Sequence, residues 1–134
     1  MTDDIAALLD ADPYVRTHPQ STPFWQAAAA GRFLLPRCAA CGRAHWYPRP
    51  FCPFCASTDV SWVDAAGTGR IHAFASLAKA ATTILAYVEL AEGPIMLTNL
   101  VDCAPDELAI GQPVQVRFRA APEGRSVPVF APTS

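Results

Sequence analysis

The spacing of apolar positions along the chain changes near residue 31, from a helical period to short alternating runs. Before that point, a first apolar stripe predicts a short helix that ends at Pro13. Asp3 and Asp4 can cap this helix, and its apolar face consists of Ile5, Leu8 and Leu9.

A second predicted helix is delimited more clearly. Ser21 or Thr22 is its N-cap, Pro23 occupies the first helical position, and Gly31 ends it. Phe24 and Trp25 are adjacent in this helix, so they point in different directions. We therefore expect one ring to meet the protein's own core and the other to meet something else.

After residue 31 the pattern predicts short strands, each bounded by Gly, Pro or Asp. Their spacing favours a small barrel or sandwich over alternating strand–helix units. The predicted strands are Phe33–Leu35, His45–Tyr47, Val60–Val63, Arg70–Leu77, Ile84–Leu90, Ile95–Val101, Val114–Phe118 and Val127–Phe130. The sequence thus predicts a mainly β protein with an N-terminal helical segment at residues 1–31, a cysteine-containing ribbon at 32–63 and a barrel at 64–134.

Composition narrows the classes of function. Charged residues make up 16% of the 134 residues against 51% hydrophobic ones, so the chain either covers part of its surface with a partner or reflects an alanine-rich composition. A net charge of −2 argues against a nucleic-acid binder driven by bulk charge. The acidic N-terminus is unlike a signal peptide, and no apolar run is long enough to cross a membrane, so we expect a cytoplasmic protein.

Four of the five cysteines form two pairs of CxxC spacing, Cys38 with Cys41 and Cys52 with Cys55. Two such turns can direct four thiolates at one metal ion in a tetrahedron, so one structural zinc ion per chain is the favoured interpretation. Four thiolates would fill the coordination shell and leave no position for water or substrate. A rubredoxin-like iron site, a redox pair and a ribbon without metal are the alternatives.

Other polar residues carry weaker signals. Four arginines fall within residues 32–49, a stretch without acids, and suggest either an anionic partner or a solvated face: Arg32, Arg37, Arg43 and Arg49. Acids instead cluster at Glu89, Glu92, Asp102, Asp106 and Glu107. His45 is expected to be an exposed strand residue, with a substitute metal ligand or a phosphate contact as the functional alternative. Cys103 is expected to be a small, partly buried residue. The sequence shows no convincing nucleophile–base set and no phosphate-binding loop.

Taken in order, several segments resemble one known family, the acyl-CoA-associated proteins that combine a zinc ribbon with an OB-fold and were formerly described as a domain of unknown function. The most specific segment is YVELAEGPIMLTNLVDC, residues 87–103. The others are TPFWQAAAAGRFLLPRCAACG, PRPFCPFC, GTGRIHAF, LAIGQPVQVRF and VPVFAP. The resemblance covers nearly all residues from Thr22 to Pro132.

This resemblance implies an N-terminal helical segment, a rubredoxin-like zinc ribbon and a five-stranded OB barrel. It also implies an accessory subunit of thiolase-superfamily enzymes: thiolases, hydroxymethylglutaryl-CoA synthases, acyltransferases and steroid side-chain aldolases. In such complexes the catalytic residues belong to the partner, and acyl-CoA binds at a shared site. Only the zinc cysteines carry over, residue by residue, and no catalytic residue does.

Two other functions remain open at this stage. OB barrels also bind single-stranded nucleic acid, although residues 86–111 are acidic here. A stand-alone enzyme on acyl-CoA would use His72 or Glu89 as base. For the accessory subunit, the sequence predicts a partner interface formed by the second helix and the ribbon, at Phe24, Trp25, Arg37, Arg43 and Arg49, because interfaces favour aromatic anchors and arginine. If the helix is core instead, the barrel strands near Tyr87–Leu100 are the next candidates.

Overall fold

A computed structural model describes residues 8–9, 11–76 and 83–133. The helices of this part are α1 (Pro13–Thr17) and α2 (Thr22–Ala29), with short 3-10 turns at Pro19–Ser21 and Pro105–Glu107. The strands are β1 (Leu34–Cys38), β2 (Val60–Asp64), β3 (Thr68–Ser76), β4 (Ile84–Leu90), β5 (Ile95–Leu100), β6 (Pro113–Ala120) and β7 (Ser126–Pro132). The predicted fold class is confirmed: the protein is mainly β, with a two-stranded ribbon and a closed five-stranded barrel.

The chain divides into two compact units. Among the described residues, the first unit, here called the N-terminal unit, takes in those up to 65 and 118–127, and the second takes in those of 66–117 and from 128 onward. The tip of the β6–β7 hairpin therefore belongs with the N-terminal unit. Arg125 in this tip binds the buried carboxylate of Asp12 at 2.8 Å.

The first predicted helix ends before Pro13, as expected: residues 8, 9 and 11 are helical and Asp12 is not. Pro13 then begins a further helix, α1, with Asp12 as its N-cap, because a proline at the first helical position gives up no hydrogen bond. The rest of the helix predicted before Pro13, including Asp3, Asp4 and Ile5, lies outside the described residues. His45–Tyr47 is no strand; only an isolated bridge joins Ala44 to Arg37.

The N-terminal unit has an aromatic core in which two rings from α2 pack with rings from the ribbon. Phe24 lies at its centre, with ring centroids 4.9 Å from Trp46 and 6.4 Å from Trp62. Phe33 and Trp25 complete the cluster around it. Since a ribbon this short cannot bury a core of its own, the rings of α2 complete one with the rings of the ribbon.

In the second unit the strands close in the order β3–β4–β5–β7–β6 around an apolar interior that includes the ring of Phe130. β4 alternates strictly between buried and exposed positions, with Ile84, Ala86, Val88 and Leu90 inward. Gly69 permits the close approach of β3 to β4, because a Cβ there would lie 2.5 Å from the carbonyl oxygen of Glu89. The barrel is thus filled by side chains, and the alternate residues of β4 are exposed on its outer face.

Candidate metal centre and surfaces

The two cysteine pairs lie in turns of the same construction. The amide of Cys38 donates to the carbonyl of Arg43 at 3.0 Å, and the amide of Cys52 donates to that of Ser57 at 2.8 Å. Each bond closes a loop that contains both cysteines of its pair. β1 ends at Cys38, so the ribbon sheet fixes the start of the first loop.

The four sulfur atoms lie within 4.8 Å of one another. Sγ of Cys38 is 3.5 Å from that of Cys55, and Sγ of Cys41 is 3.7 Å from that of Cys52. Zinc bound tetrahedrally by thiolates at about 2.3 Å separates its sulfurs by roughly 3.8 Å, so the set fits one such ion. Both buried sulfurs also accept backbone amides: Cys38 from Cys41 at 3.5 Å, and Cys52 from Phe54 at 3.4 Å.

These contacts change the pKa values of two of the cysteine thiols in opposite directions. The Cys41 amide, which favours the thiolate, lowers the pKa of Cys38 to about 7 against the opposing effect of burial. The pKa of Cys55 moves the other way: a hydrogen bond from Ser57 lowers it, but the Cys38 sulfur and burial together raise it to about 12. Cys38 is therefore the first of these two to offer a thiolate to a cation.

Two of the arginines expected at a partner interface also brace these turns. Nε of Arg37 donates to the carbonyl of Gly42 at 3.1 Å, within the first turn. The guanidinium of Arg43 lies 3.6 Å from the ring centroid of Phe54, which belongs to the second turn. Arg49 is exposed on the loop between the turns. The interface role of the three arginines stays a prediction.

His45 differs from its expected exposed position. It is 2% exposed, and neither ring nitrogen has a hydrogen-bond partner among the described residues. Burial, reinforced by the charge of Arg49, lowers the pKa of His45, so its imidazole is neutral at pH 7. Sequence reasoning missed this burial because it depends on which elements pack around the residue and not on a local pattern.

The expectation that only one of the two rings of α2 meets the protein's own core is wrong. Phe24 is 1% exposed and Trp25 is 8% exposed, so in this chain both rings pack inside the N-terminal unit. The ring centroids of Trp25 and Tyr14 lie 5.9 Å apart in a T-shaped arrangement. The guanidinium carbon of Arg125 lies 5.4 Å from the ring centroid of Trp25. Adjacent helix positions both reach the core here because the ribbon lies against one ring and α1 against the other.

On the barrel, His72 is exposed on β3, and Cys103 is partly buried after β5. Burial, with the nearby Glu107 and Asp102, raises the pKa of the Cys103 thiol, which makes it a poor nucleophile. Sequence reasoning named the strands near Tyr87–Leu100 as an alternative interface but did not identify the large apolar side chains on the outer face of β4 and β5. The signal was present, because both strands are apolar at successive positions although a small barrel buries only alternate ones.

Comparison with known families agrees with this geometry. Residues 25–61 match the model of the ChsH2 rubredoxin-like zinc ribbon domain, and residues 62–119 match that of the ChsH2 C-terminal OB-fold domain. Among solved structures, the chain is similar to one described as the Ltp2-ChsH2(DUF35) aldolase, with 38% identity and a TM-score of 0.72. That match covers 84% of this chain and 93% of the other.

The chain is also similar in sequence to curated proteins. The chain is 40% identical over 116 residues to a probable enoyl-CoA hydratase alpha subunit of Thermomonospora curvata. The match takes in 81% of this chain but 36% of that protein, so the chain spans about a third of its length. A DUF35 domain-containing scaffold protein of Methanothermobacter thermautotrophicus is 32% identical over 65% of this chain and 71% of its own length. None of the described helices is long and apolar enough to span a bilayer.

Proposed function

Because the chain belongs to the DUF35 family of zinc-ribbon and OB-fold proteins that includes ChsH2, we propose that it is a non-catalytic accessory subunit of an enzyme acting on acyl-CoA thioesters. The proposed partner is a thiolase-superfamily protein: a thiolase, an acyltransferase or a steroid side-chain aldolase. The observation that carries the proposal is the similarity to ChsH2 in a structure whose description joins it to Ltp2 as an aldolase.

In this proposal, Cys38, Cys41, Cys52 and Cys55 hold one structural zinc ion. The ion joins the two cysteine-containing turns, and its four thiolates leave no coordination position for a substrate. The role of the metal is therefore to keep the ribbon folded, together with the aromatic cluster around Phe24. A metal held by thiolates also supports a reducing compartment, and we place the protein in the cytoplasm.

The chain's own residues offer no complete catalytic set within the described part. His72 is exposed on β3. Close to it in the sheet, Arg70 lies opposite Glu89, and the described part of these two strands provides no nucleophile with oxyanion donors. In the proposal the reactive groups belong to the partner. Acyl-CoA binds at a site that this subunit helps to line or to support. The arginines Arg37, Arg43 and Arg49 are proposed to face an acidic partner surface, where arginine pairs well with carboxylates.

A second candidate partner follows from the Thermomonospora relative. That protein is described as a probable enoyl-CoA hydratase alpha subunit, so the subunit could serve hydration of an acyl-CoA instead of carbon–carbon bond chemistry. Single-stranded nucleic acid is supported less well, because residues 83–116 contain no Lys or Arg.

One experiment separates these proposals. The tagged chain is purified from the organism that encodes it, co-purifying proteins are identified by mass spectrometry, and the complex and the isolated chain are assayed for thiolysis, aldol cleavage and hydration. We expect a thiolase-superfamily protein, turnover by the complex and none by the isolated chain. A hydratase would select the second candidate, and turnover by the pure chain that His72→Ala abolishes would contradict an accessory role. Labelled oligonucleotide at low salt tests the nucleic-acid alternative.

The ribbon interface has its own test. Arg49→Glu should weaken binding of the identified partner about tenfold or more if Arg49 faces its acidic surface. Arg16→Glu, at an exposed arginine on α1 of the same unit, is the matched control and should leave binding unchanged. Equal binding by both variants would remove Arg49 from the interface.

A further inference from the structure

Four large apolar side chains point outward from β4 and β5 of a closed barrel. Leu85, Tyr87, Ile95 and Leu97 are 40%, 49%, 40% and 57% exposed, respectively. We refer to these four residues as the barrel patch. Contiguous exposed apolar residues on a sheet face mark interaction sites more often than isolated ones do. We propose that the barrel patch docks an apolar segment of the acyl-CoA enzyme, flanked by basic residues, and this inference rests on the accessory role proposed above.

The strand register makes the patch continuous. Tyr87 on β4 lies opposite Leu97 on β5, and Ile95 lies opposite Glu89, so the outward side chains of both strands share one face. Direct cross-strand neighbours on a face lie about 5 Å apart, close enough for their side chains to touch. A single apolar surface therefore runs across the two strands.

Small residues on the neighbouring strand turn this surface into a groove. On β3, Ala73 lies opposite Tyr87 and Ala75 lies opposite Leu85. The alanines leave a depression beside the larger side chains, with a volume of about 330 Å³ and Leu97 in its wall. A groove with apolar walls takes apolar side chains, as expected for a partner's anchor residues.

The charged residues around the barrel patch indicate which residues flank the partner's apolar segment. Glu89 follows Tyr87 on the exposed side of β4, and Glu92 lies in the β4–β5 turn. Asp102 follows β5 at the other end of the patch, whereas residues 83–116 contain no Lys or Arg. The nearest cation in register is Arg70 on β3, which lies opposite Glu89 and donates to the carbonyl of Gly111 at 3.0 Å. An acidic margin is complementary to basic residues on the partner.

The test uses the full chain and the enzyme that co-purifies with it. The double variant Tyr87→Ala, Leu97→Ala removes two anchors of the patch. Ile110→Ala is the matched control, since Ile110 is a large apolar residue that is 65% exposed outside the patch. We expect the double variant to bind the purified enzyme about tenfold more weakly or worse, while the control binds like wild type. Wild-type binding should also weaken as salt rises from 50 to 300 mM, and Glu89→Gln should reduce that salt dependence.

The outcomes separate this inference from the proposed function. Equal binding by wild type and the double variant would overturn the docking surface and leave the accessory role standing. If wild type recovers no acyl-CoA enzyme from its host, the accessory role fails and the docking surface fails with it. Melting curves accompany every variant; if the double variant unfolds early, the single variant Leu97→Ser replaces it and must show the same loss of binding.

Discussion

Gly42 and Ala56 occupy equivalent positions in the two metal-binding turns. Each follows the second cysteine of its pair and adopts a left-handed backbone, with φ of 77° at Gly42 and 66° at Ala56. Each also donates its amide to the carbonyl of the first cysteine of its pair, at 2.8 and 2.9 Å. The two turns therefore share one backbone path although their sequences, CAACG and CPFCA, differ.

This equivalence predicts opposite responses to exchanging the two residues. Gly42→Ala should lower the free energy of unfolding by about 1 kcal/mol, the conformational cost of a left-handed alanine, since a Cβ there meets nothing within 4 Å. Ala56→Gly should leave stability equal or higher. Urea unfolding of the zinc-loaded proteins, followed by tryptophan fluorescence, measures both. A Gly42→Ala variant as stable as wild type would contradict the argument.

Metal content is the second prediction. Purified without chelator, the protein should contain one zinc ion per chain by elemental analysis. Cys52→Ser should lose it, because one missing thiolate opens the shell. All three tryptophans lie in the N-terminal unit, which contains the ribbon, at positions 25, 46 and 62. Metal loss should therefore shift their emission to the red. Cys103→Ser, outside the ribbon, is the control and should keep both zinc and emission; metal-free wild type would refute the site.

Zinc affinity should fall with falling pH, with a change of slope near neutrality. The pKa of Cys38 is about 7, so below pH 7 zinc binding displaces a proton from this thiol, and above pH 7 it does not. The pKa of Cys55 is about 12, so Cys55 releases its proton throughout this range and adds a constant slope. Competition with a chelator between pH 6 and 8 should show the slope steeper by about one proton below pH 7. A straight dependence would contradict the low pKa of Cys38.

The fourth prediction concerns Asp12 and Arg125, which are distant in sequence. Burial alone would raise the pKa of Asp12, but the hydrogen bond from Arg125 and the amide of Tyr14 hold it below its usual value. Stability from this pair is present at neutral pH and is lost as pH falls through the lowered pKa. Asp12→Asn should cost about 3 kcal/mol, the lower end for breaking a buried pair, since Glu123 also binds Arg125.

Denaturation at pH 7 and in acid measures this effect. The variant should lose less stability than wild type on acidification, because its residue 12 does not titrate. Glu123→Gln is the control: this partner of Arg125 is more exposed, and its loss should change stability by less than 1 kcal/mol or so. An Asp12→Asn variant within that margin of wild type would show that the pair contributes little.

The sequence was sufficient for local features and for the cysteine set. Cysteine spacing, turn residues and β-branched runs are short-range signals, so they located β2 and β4 and the two metal-binding turns closely. The burial of His45 and Trp25 was missed because it depends on which elements pack together. Likewise, nothing local in residues 118–127 indicates that Arg125 reaches Asp12, since that contact joins positions 113 residues apart.

The last prediction reverses an expectation about Trp25. A ring that anchors a partner would affect association and leave the isolated protein stable, but this ring is buried against Phe24, Tyr14 and Arg125. Trp25→Ala should therefore lower the free energy of unfolding by about 3 kcal/mol or more, as large-to-small changes in a core do. Trp25→Phe should cost less, because Nε1 is buried without a hydrogen-bond partner among the described residues and its removal loses no bond. Phe54→Ala, at a half-exposed ring of the same unit, is the control and should cost about 1 kcal/mol at most. Thermal melting measures all three; if Trp25→Ala instead melts like wild type and loses the co-purifying enzyme, the ring serves the interface after all.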